Sequence, residues 1–133
     1  MAGKRIVVID DDPDFLDYVR IVLSANDHIV ETCTCSEQGI DCVRRTRPDL
    51  VIVDFMMSYV LDGVAVSRAM REDDQLADIP ILLVSAVVSE QDDQLLTREE
   101  KARVDAFLSK PINPAQLLQH VQRLTGPSSS VEV

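Results

Sequence analysis

The chain has 133 residues, 46% of them hydrophobic, so it has the length of one domain and enough apolar side chains for a core. Its formal net charge of −10 disfavours direct binding to nucleic acid, because an acidic surface repels the phosphate backbone. No apolar run approaches the roughly 18 residues of a membrane span, and the first residues lack the apolar core of a signal peptide. We therefore expect a cytoplasmic protein with no membrane partner.

Short apolar runs predict the strands. Residues 6–9, 50–53 and 81–84 form continuous runs rich in β-branched side chains and leucine, and residues 106–108 form a weaker one. Runs of this length suit strands that are buried on both faces of a parallel sheet. Residues 28–33 alternate more between apolar and polar side chains, which indicates an edge strand.

Amphipathic segments between these runs predict five helices. The first begins after Asp12, the expected N-cap, with Pro13 at the first helical position. The others are expected from Ser36 to before Arg47, from Asp62 to Asp73, between Ser89 and Arg103, and from Asn113 to before Gly126. The fourth has the thinnest apolar stripe.

A strand followed by a helix, five times over, predicts an α/β fold with a parallel sheet doubly wound by helices on both faces. We expect one domain over residues 1–125 and a mobile tail or linker over residues 126–133. An odd number of cysteines without signs of secretion indicates reduced thiols. For Cys33 and Cys35, packing is favoured over metal binding, because His28 is the only further candidate ligand nearby in sequence.

Polar side chains follow four of the predicted strands. The first strand is followed by Asp10 and Asp11, the third ends at Asp54, the fourth at Ser85, and Lys110 follows the last. In a doubly wound sheet, ligands bind outside the carboxyl ends of the strands. The winding therefore predicts that these five residues converge at one edge of the sheet.

The predicted cluster suits phosphoryl chemistry. Three carboxylates packed together repel one another, so a cation is expected among them. Oxygen ligands with room for water suit Mg²⁺, and Mn²⁺ fits the same ligands. Lys110 adds a positive charge, and the Ser85 hydroxyl can donate to an anionic oxygen. A carboxylate such as Asp54 can attack phosphorus to form an aspartyl-phosphate.

Five stretches resemble the receiver domain of bacterial response regulators, the CheY-like family. They are IVVIDDDP (6–13), PDLVIVD (48–54), DG (62–63), IPILLVSA (79–86) and FLSKP (107–111). The resemblance covers about residues 4 to 125, with its motifs in the family's order and spacing. It implies a flavodoxin-like fold, with five parallel strands in the order 2-1-3-4-5 and five helices.

The resemblance also implies a role for each matching residue. Asp54 resembles the phospho-acceptor, Asp10 and Asp11 resemble the metal-binding pair, and the Met56 carbonyl would be another metal ligand. Three further residues resemble parts of the family's switch: Ser85 is the hydroxyl that reaches the phosphoryl oxygen, Phe107 the aromatic rotamer switch, and Lys110 the phosphate-pairing lysine.

The sequence departs from the family's pattern in two segments. The family has a Met-Pro after the acceptor, whereas the loop 55–61 here lacks the proline and is one residue longer. The segment 87–104 also looks longer than usual, and it spans the fourth helix, which belongs to the family's signalling face. Apolar Met56 stands where the family often has a polar residue that positions the attacking water, which indicates slow loss of phosphate.

The expected function is therefore a phosphoryl-accepting switch in a two-component or phosphorelay system, not an enzyme beyond self-phosphorylation and self-dephosphorylation. The donor would be a histidine kinase or a histidine phosphotransfer protein. A downstream protein would bind the face formed by the fourth helix, fifth strand and fifth helix, and the chain would be a monomer or a phosphorylation-linked dimer.

Three alternatives compete with this function. The first is a receiver-like interaction module that works without phosphorylation, which the altered loop 55–61 favours slightly. A phosphatase that uses an aspartyl-phosphate would need a cap segment for which no chain is left. A flavodoxin would need hydroxyls and glycine after the first strand, where Asp10, Asp11 and Asp12 stand instead.

Overall fold

The computed structural model describes residues 3–34, 36–54, 62–85, 105–109 and 112–125. Five strands and four helices lie in this part of the chain. In chain order they are β1 (Arg5–Ile9), α1 (Pro13–Ser24), β2 (Ile29–Cys33), α2 (Ser36–Thr46), β3 (Leu50–Asp54), α3 (Asp62–Glu72), β4 (Ile81–Ser85), β5 (Ala106–Ser109) and α4 (Pro114–Thr125).

The strands form one parallel sheet in the order β2-β1-β3-β4-β5. This confirms the α/β class and the strand order, and it places β2 at an edge as its alternating pattern predicted. Four of the five predicted helices are described, α4 being the last of them. The predicted helix between Ser89 and Arg103 and the predicted tail 126–133 lie outside the described residues. Among the helices described, none is long and apolar enough to cross a membrane.

Side chains on the two faces of the sheet pack into two separate apolar cores. Val7 and Ile9 of β1 point into a core shared with α2 and α3, whereas Ile6 and Val8 point into a core shared with α1 and α4. Successive strand residues face opposite sides, so a continuous apolar run is what a sheet covered on both faces requires. All five residues of β3 are buried accordingly.

The start of α1 has the predicted cap. The Asp12 side chain accepts a hydrogen bond from the Asp14 N–H at 3.0 Å, and Pro13 occupies the first turn. Further along α1, the Tyr18 hydroxyl donates to the carbonyl of Ile112 at 2.6 Å, just before α4. The Tyr18 bond ties α1 to the segment that follows β5.

Arg71 joins the end of α3 to the start of β5. Its guanidinium donates to the carbonyls of Ala77 and Ile79 at 2.8 Å each, and to Oδ2 of Asp105 at 2.8 Å. The same Asp105 oxygen accepts the N–H of Ile81 at 2.8 Å. A guanidinium shared in this way sets the starts of β4 and β5 side by side.

Gly39 in α2 supplies a test of this packing. A Cβ at this position would overlap with the side chain of Ile9, which is fully buried. We expect Gly39→Val to lower the free energy of unfolding by about 1–3 kcal/mol, the usual cost of overfilling a core. Urea denaturation measures the change. Gln38→Val, at the exposed neighbouring position, is the control for a valine placed in α2 away from Ile9. If the two variants were equally stable, the close contact with Ile9 would be refuted.

Candidate metal and phosphoryl site

Two carboxylates end neighbouring strands at the carboxyl edge of the sheet. Ile9 is in register with Val53, so Asp10 and Asp54, the next residue of each chain segment, stand side by side. Asp11 follows Asp10 in the turn before α1. This adjacency follows from the parallel pairing of β1 with β3, which brings together residues far apart in sequence.

The three carboxylates form a compact group. One carboxylate oxygen from each of Asp10, Asp11 and Asp54 lies within 4.8 Å of the others. Asp10 is 0% exposed and Asp54 is 5% exposed, whereas Asp11 is exposed to solvent. We call these three residues the acidic triad. It therefore has two members inside the fold and one at the mouth, which is the arrangement of a site that opens to solvent.

Backbone hydrogen bonds hold Asp10 in place. Its N–H donates to the carbonyl of Cys33 at 3.0 Å, and its Oδ1 accepts the N–H of Asp12 at 2.9 Å. The Asp12 carboxylate instead accepts the N–H of Asp14 and caps α1. Of the three consecutive aspartates, the structure thus assigns the first two to the acidic triad and the third to the helix. This confirms the distinction that the sequence predicted for Asp12.

The ligand chemistry of the acidic triad fits a hard divalent cation. All the side-chain donors are carboxylate oxygens, which Mg²⁺ prefers, and the exposed side leaves room for the waters that Mg²⁺ retains. Two buried carboxylates at this distance also repel each other, so a cation between them removes an electrostatic cost. The residues present therefore fit the predicted metal.

The other predicted site residues are described less fully. Ser85 ends β4 next to β3, where Val84 is in register with Asp54, so its backbone lies at the same edge as the triad. Phe107 lies in β5, in register with Leu83. Lys110, Met56 and the unusual loop 55–61 lie outside the described residues. Lys110 directly follows β5, whose last residue Ser109 pairs with Ser85.

The structure also shows contacts that the sequence did not predict. The bond from the Asp10 N–H to Cys33 links the acidic triad to the end of the edge strand. Beyond it, Cys42 of α2 contacts Glu31 of β2. The apolar pattern of α2 showed that one side of the helix is buried, but no pattern indicated which strand side chains it would meet.

With this geometry established, comparison with known proteins decides the family. The family described as the response regulator receiver domain matches residues 6–122. The chain belongs to the response regulator receiver domain family. This receiver domain is thus a phosphoryl-accepting signalling module of two-component systems.

Among relatives of this receiver domain, the DNA-binding dual master transcriptional regulator RpaA of Synechocystis is 32% identical over 120 residues, which cover 90% of this chain and 48% of RpaA. The polar-differentiation response regulator DivK of Brucella anthropi is 24% identical over 92% of this chain and 97% of its own length. The chain spans about half the length of the transcriptional regulators that it matches.

Solved structures agree with the fold. The chemotaxis protein CheY4 of Vibrio cholerae has a TM-score of 0.80 at 28% identity and covers 92% of this chain and 99% of its own. The receiver domain of a sensor histidine kinase from Pseudomonas aeruginosa has a TM-score of 0.83 at 25% identity, covering 95% of this chain and 100% of its own. The latter was solved with a magnesium ion coordinated in its active site cleft.

Proposed function

We propose that Asp54 is the phospho-acceptor of this receiver domain and that Asp10 and Asp11 hold the metal beside it. The observation that carries this proposal is the acidic triad, in which Asp54 lies at the end of the central strand with its oxygen within 4.8 Å of both partners. A further support is the magnesium ion in the cleft of the Pseudomonas aeruginosa receiver domain.

The proposed reaction is a phosphoryl transfer to one Asp54 oxygen. That oxygen attacks phosphorus, the bond from phosphorus to the donor's leaving atom breaks, and the leaving group departs with the electron pair. Bound Mg²⁺, or Mn²⁺ in its place, would neutralise charge on the transferring oxygens. The bonds from Asp10 to Asp12 and Cys33 hold the carboxylates in place before the donor arrives.

The remaining residues are proposed to read the phosphorylated state. Lys110 pairs with the phosphoryl group, the Ser85 hydroxyl donates to one of its oxygens, and Phe107 changes rotamer in response. The carbonyl of Met56 completes the metal ligands. The support is positional: Ser85 and Ser109 are paired at the carboxyl edge, and Lys110 follows directly.

The donor is proposed to be a histidine kinase or a histidine phosphotransfer protein, with self-phosphorylation from small donors as a secondary route. A downstream protein would bind the face formed by the segment 89–103, β5 and α4. The receiver domain of a histidine kinase from Syntrophus aciditrophicus, 25% identical with a TM-score of 0.81, supports this placement in a phosphorelay. The domain is proposed to end near residue 125, where α4 ends.

A second candidate is a receiver that signals without phosphorylation. The observation that favours it is the loop 55–61, which lacks the proline that the family has after the acceptor. Acetyl phosphate or beryllofluoride with Mg²⁺, added to the full chain, separates the two functions. The proposal requires an added phosphoryl mass on Asp54 or amide shifts around Asp10 and Asp54. The absence of both would favour the second candidate.

Met56 supplies a prediction about the lifetime of the phosphorylated state. An apolar side chain two residues past the acceptor cannot hydrogen-bond the water that attacks the aspartyl-phosphate. We expect Met56→Asn to accelerate loss of phosphate several-fold, up to about tenfold, since a difference of only 1.4 kcal/mol in the barrier gives that factor. The decay of purified phosphoprotein measures it. Met56→Leu is the matched control, and equal decay rates in both variants would contradict the prediction.

A further inference from the structure

A second polar cluster lies between β2 and α2. Cys42 is 2% exposed, and its thiol donates to Oε2 of Glu31 at 3.1 Å. Arg45 lies beside both, with Nη2 at 3.4 Å from the same Glu31 oxygen and 3.7 Å from Cys42 Sγ. We call Glu31, Cys33, Cys42 and Arg45 the thiol cluster. None of these side chains belongs to the acidic triad.

The geometry brings the second thiol to the same place. Cys33 is two residues beyond Glu31 in β2, and alternate strand residues share a face, so both side chains point toward α2. The Cys33 thiol donates to the carbonyl of Gln38 at 3.8 Å. Gln38 and Cys42 are one helical turn apart on one face of α2. Cys33 accordingly packs against the buried cluster that contains Cys42.

The environments of the two thiols differ. Burial, followed by the hydrogen bond to Glu31, raises the pKa of Cys42 to about 12, so this thiol stays protonated at neutral pH. Cys33 is only partly buried, at the end of the edge strand. An oxidant in solution can therefore reach Cys33 first, and the buried Cys42 is the second thiol to react.

We propose that Cys33 and Cys42 form a reversible intramolecular disulfide, a modification site for small disulfides of the oxidised glutathione type. The Cys33 thiolate attacks one sulfur of oxidised glutathione, whose S–S bond breaks, and the first glutathione leaves as a thiolate that takes up a proton. The Cys42 sulfur then attacks Cys33 Sγ. Its proton passes to Glu31, and the second glutathione leaves and is protonated. Two thiols lose two electrons and two protons, and oxidised glutathione gains them.

The position of the thiol cluster gives the disulfide a route to the acidic triad. The Cys33 carbonyl accepts the N–H of Asp10 at 3.0 Å, and Ile9 is in register with Cys33. A disulfide from Cys33 to α2 would restrict the residue whose carbonyl accepts the Asp10 N–H. The amide resonance of Asp10 therefore reports oxidation without any metal or phosphoryl donor.

The test incubates the full chain in buffers with different ratios of reduced to oxidised glutathione. Each sample is quenched with acid and alkylated, and its intact mass is measured by mass spectrometry. Under oxidising buffer we expect a species lighter by two hydrogen atoms, with two thiols protected from alkylation. Dithiothreitol should restore both thiols, and the Asp10 amide should shift between the two forms. A lasting glutathione adduct, or two thiols that remain free in every buffer, would overturn the proposal.

Variants of the three cysteines identify the pair. Cys35→Ser should oxidise as the natural chain does, because the proposal assigns the disulfide to Cys33 and Cys42. Cys33→Ser should give no lighter species, and Cys42→Ala should trap the glutathione adduct on Cys33. Loss of the lighter species in Cys35→Ser would assign the disulfide to another pair and refute the proposal. Because Cys33 is less buried than Cys42, its variant gives a decisive result even if Cys42→Ala folds poorly.

Discussion

Asp54→Asn is expected to abolish phosphorylation of this receiver domain. Asn keeps the size of the side chain and one accepting oxygen, but it has no carboxylate oxygen to attack phosphorus. Asp54 is 5% exposed, at the end of β3. We expect the rate of phosphorylation to fall by at least about a hundredfold, which corresponds to some 2.7 kcal/mol in the barrier. Intact mass measurement after incubation with acetyl phosphate and Mg²⁺ gives the result.

The matched control for Asp54→Asn lies at the opposite end of the same strand. Asp49 precedes β3 and accepts the N–H of Arg5 at 2.9 Å, a bond that Asn can also accept. Asp49→Asn removes the same charge from the chain but leaves the acidic triad intact, so phosphorylation should proceed normally. If Asp54→Asn were fully phosphorylated, the acceptor would be another residue. Asp11 would be the next candidate because it is exposed.

The sheet was predictable because its signal is local. Four residues such as 50–53 suffice to mark a buried strand, and the right-handed crossover then limits how successive strands can be arranged. The resemblance to the receiver family added the strand order, which the pattern of apolar residues does not determine. The acidic triad followed from the same logic, since parallel strands end at one edge.

Contacts between a helix and a strand were not predictable in the same way. The periodicity of α2 shows which of its faces is buried, but the rotation of the helix against β2 depends on packing of the whole core. Cys42 and Glu31 are 11 residues apart, and Arg71 and Asp105 are 34 apart. Neither pair belongs to a motif, so only the folded structure brings them together.

Asp10→Asn is expected to stabilise the metal-free protein and to reduce the further stability that Mg²⁺ adds. Asp10 is fully buried and lies within 4.8 Å of Asp54, so in the metal-free protein its charge repels that of its neighbour. At this separation, removing one charge is expected to stabilise the metal-free fold by about 1–3 kcal/mol. The bond from the Asp12 N–H survives, because the Asn side-chain oxygen also accepts it.

The same substitution should weaken Mg²⁺ binding by at least about tenfold, since a loss of only 1.4 kcal/mol of binding energy gives that factor. The stability added by millimolar Mg²⁺ then shrinks, because it depends on the ratio of metal concentration to dissociation constant. Thermal melts with and without Mg²⁺ measure both effects. Asp12→Asn is the matched control, since it removes an equal charge two residues away while Asn still caps α1. If Asp10→Asn gained as much stability from Mg²⁺ as that control, Asp10 would not be a metal ligand, and the metal would have to bind through the remaining proposed ligands.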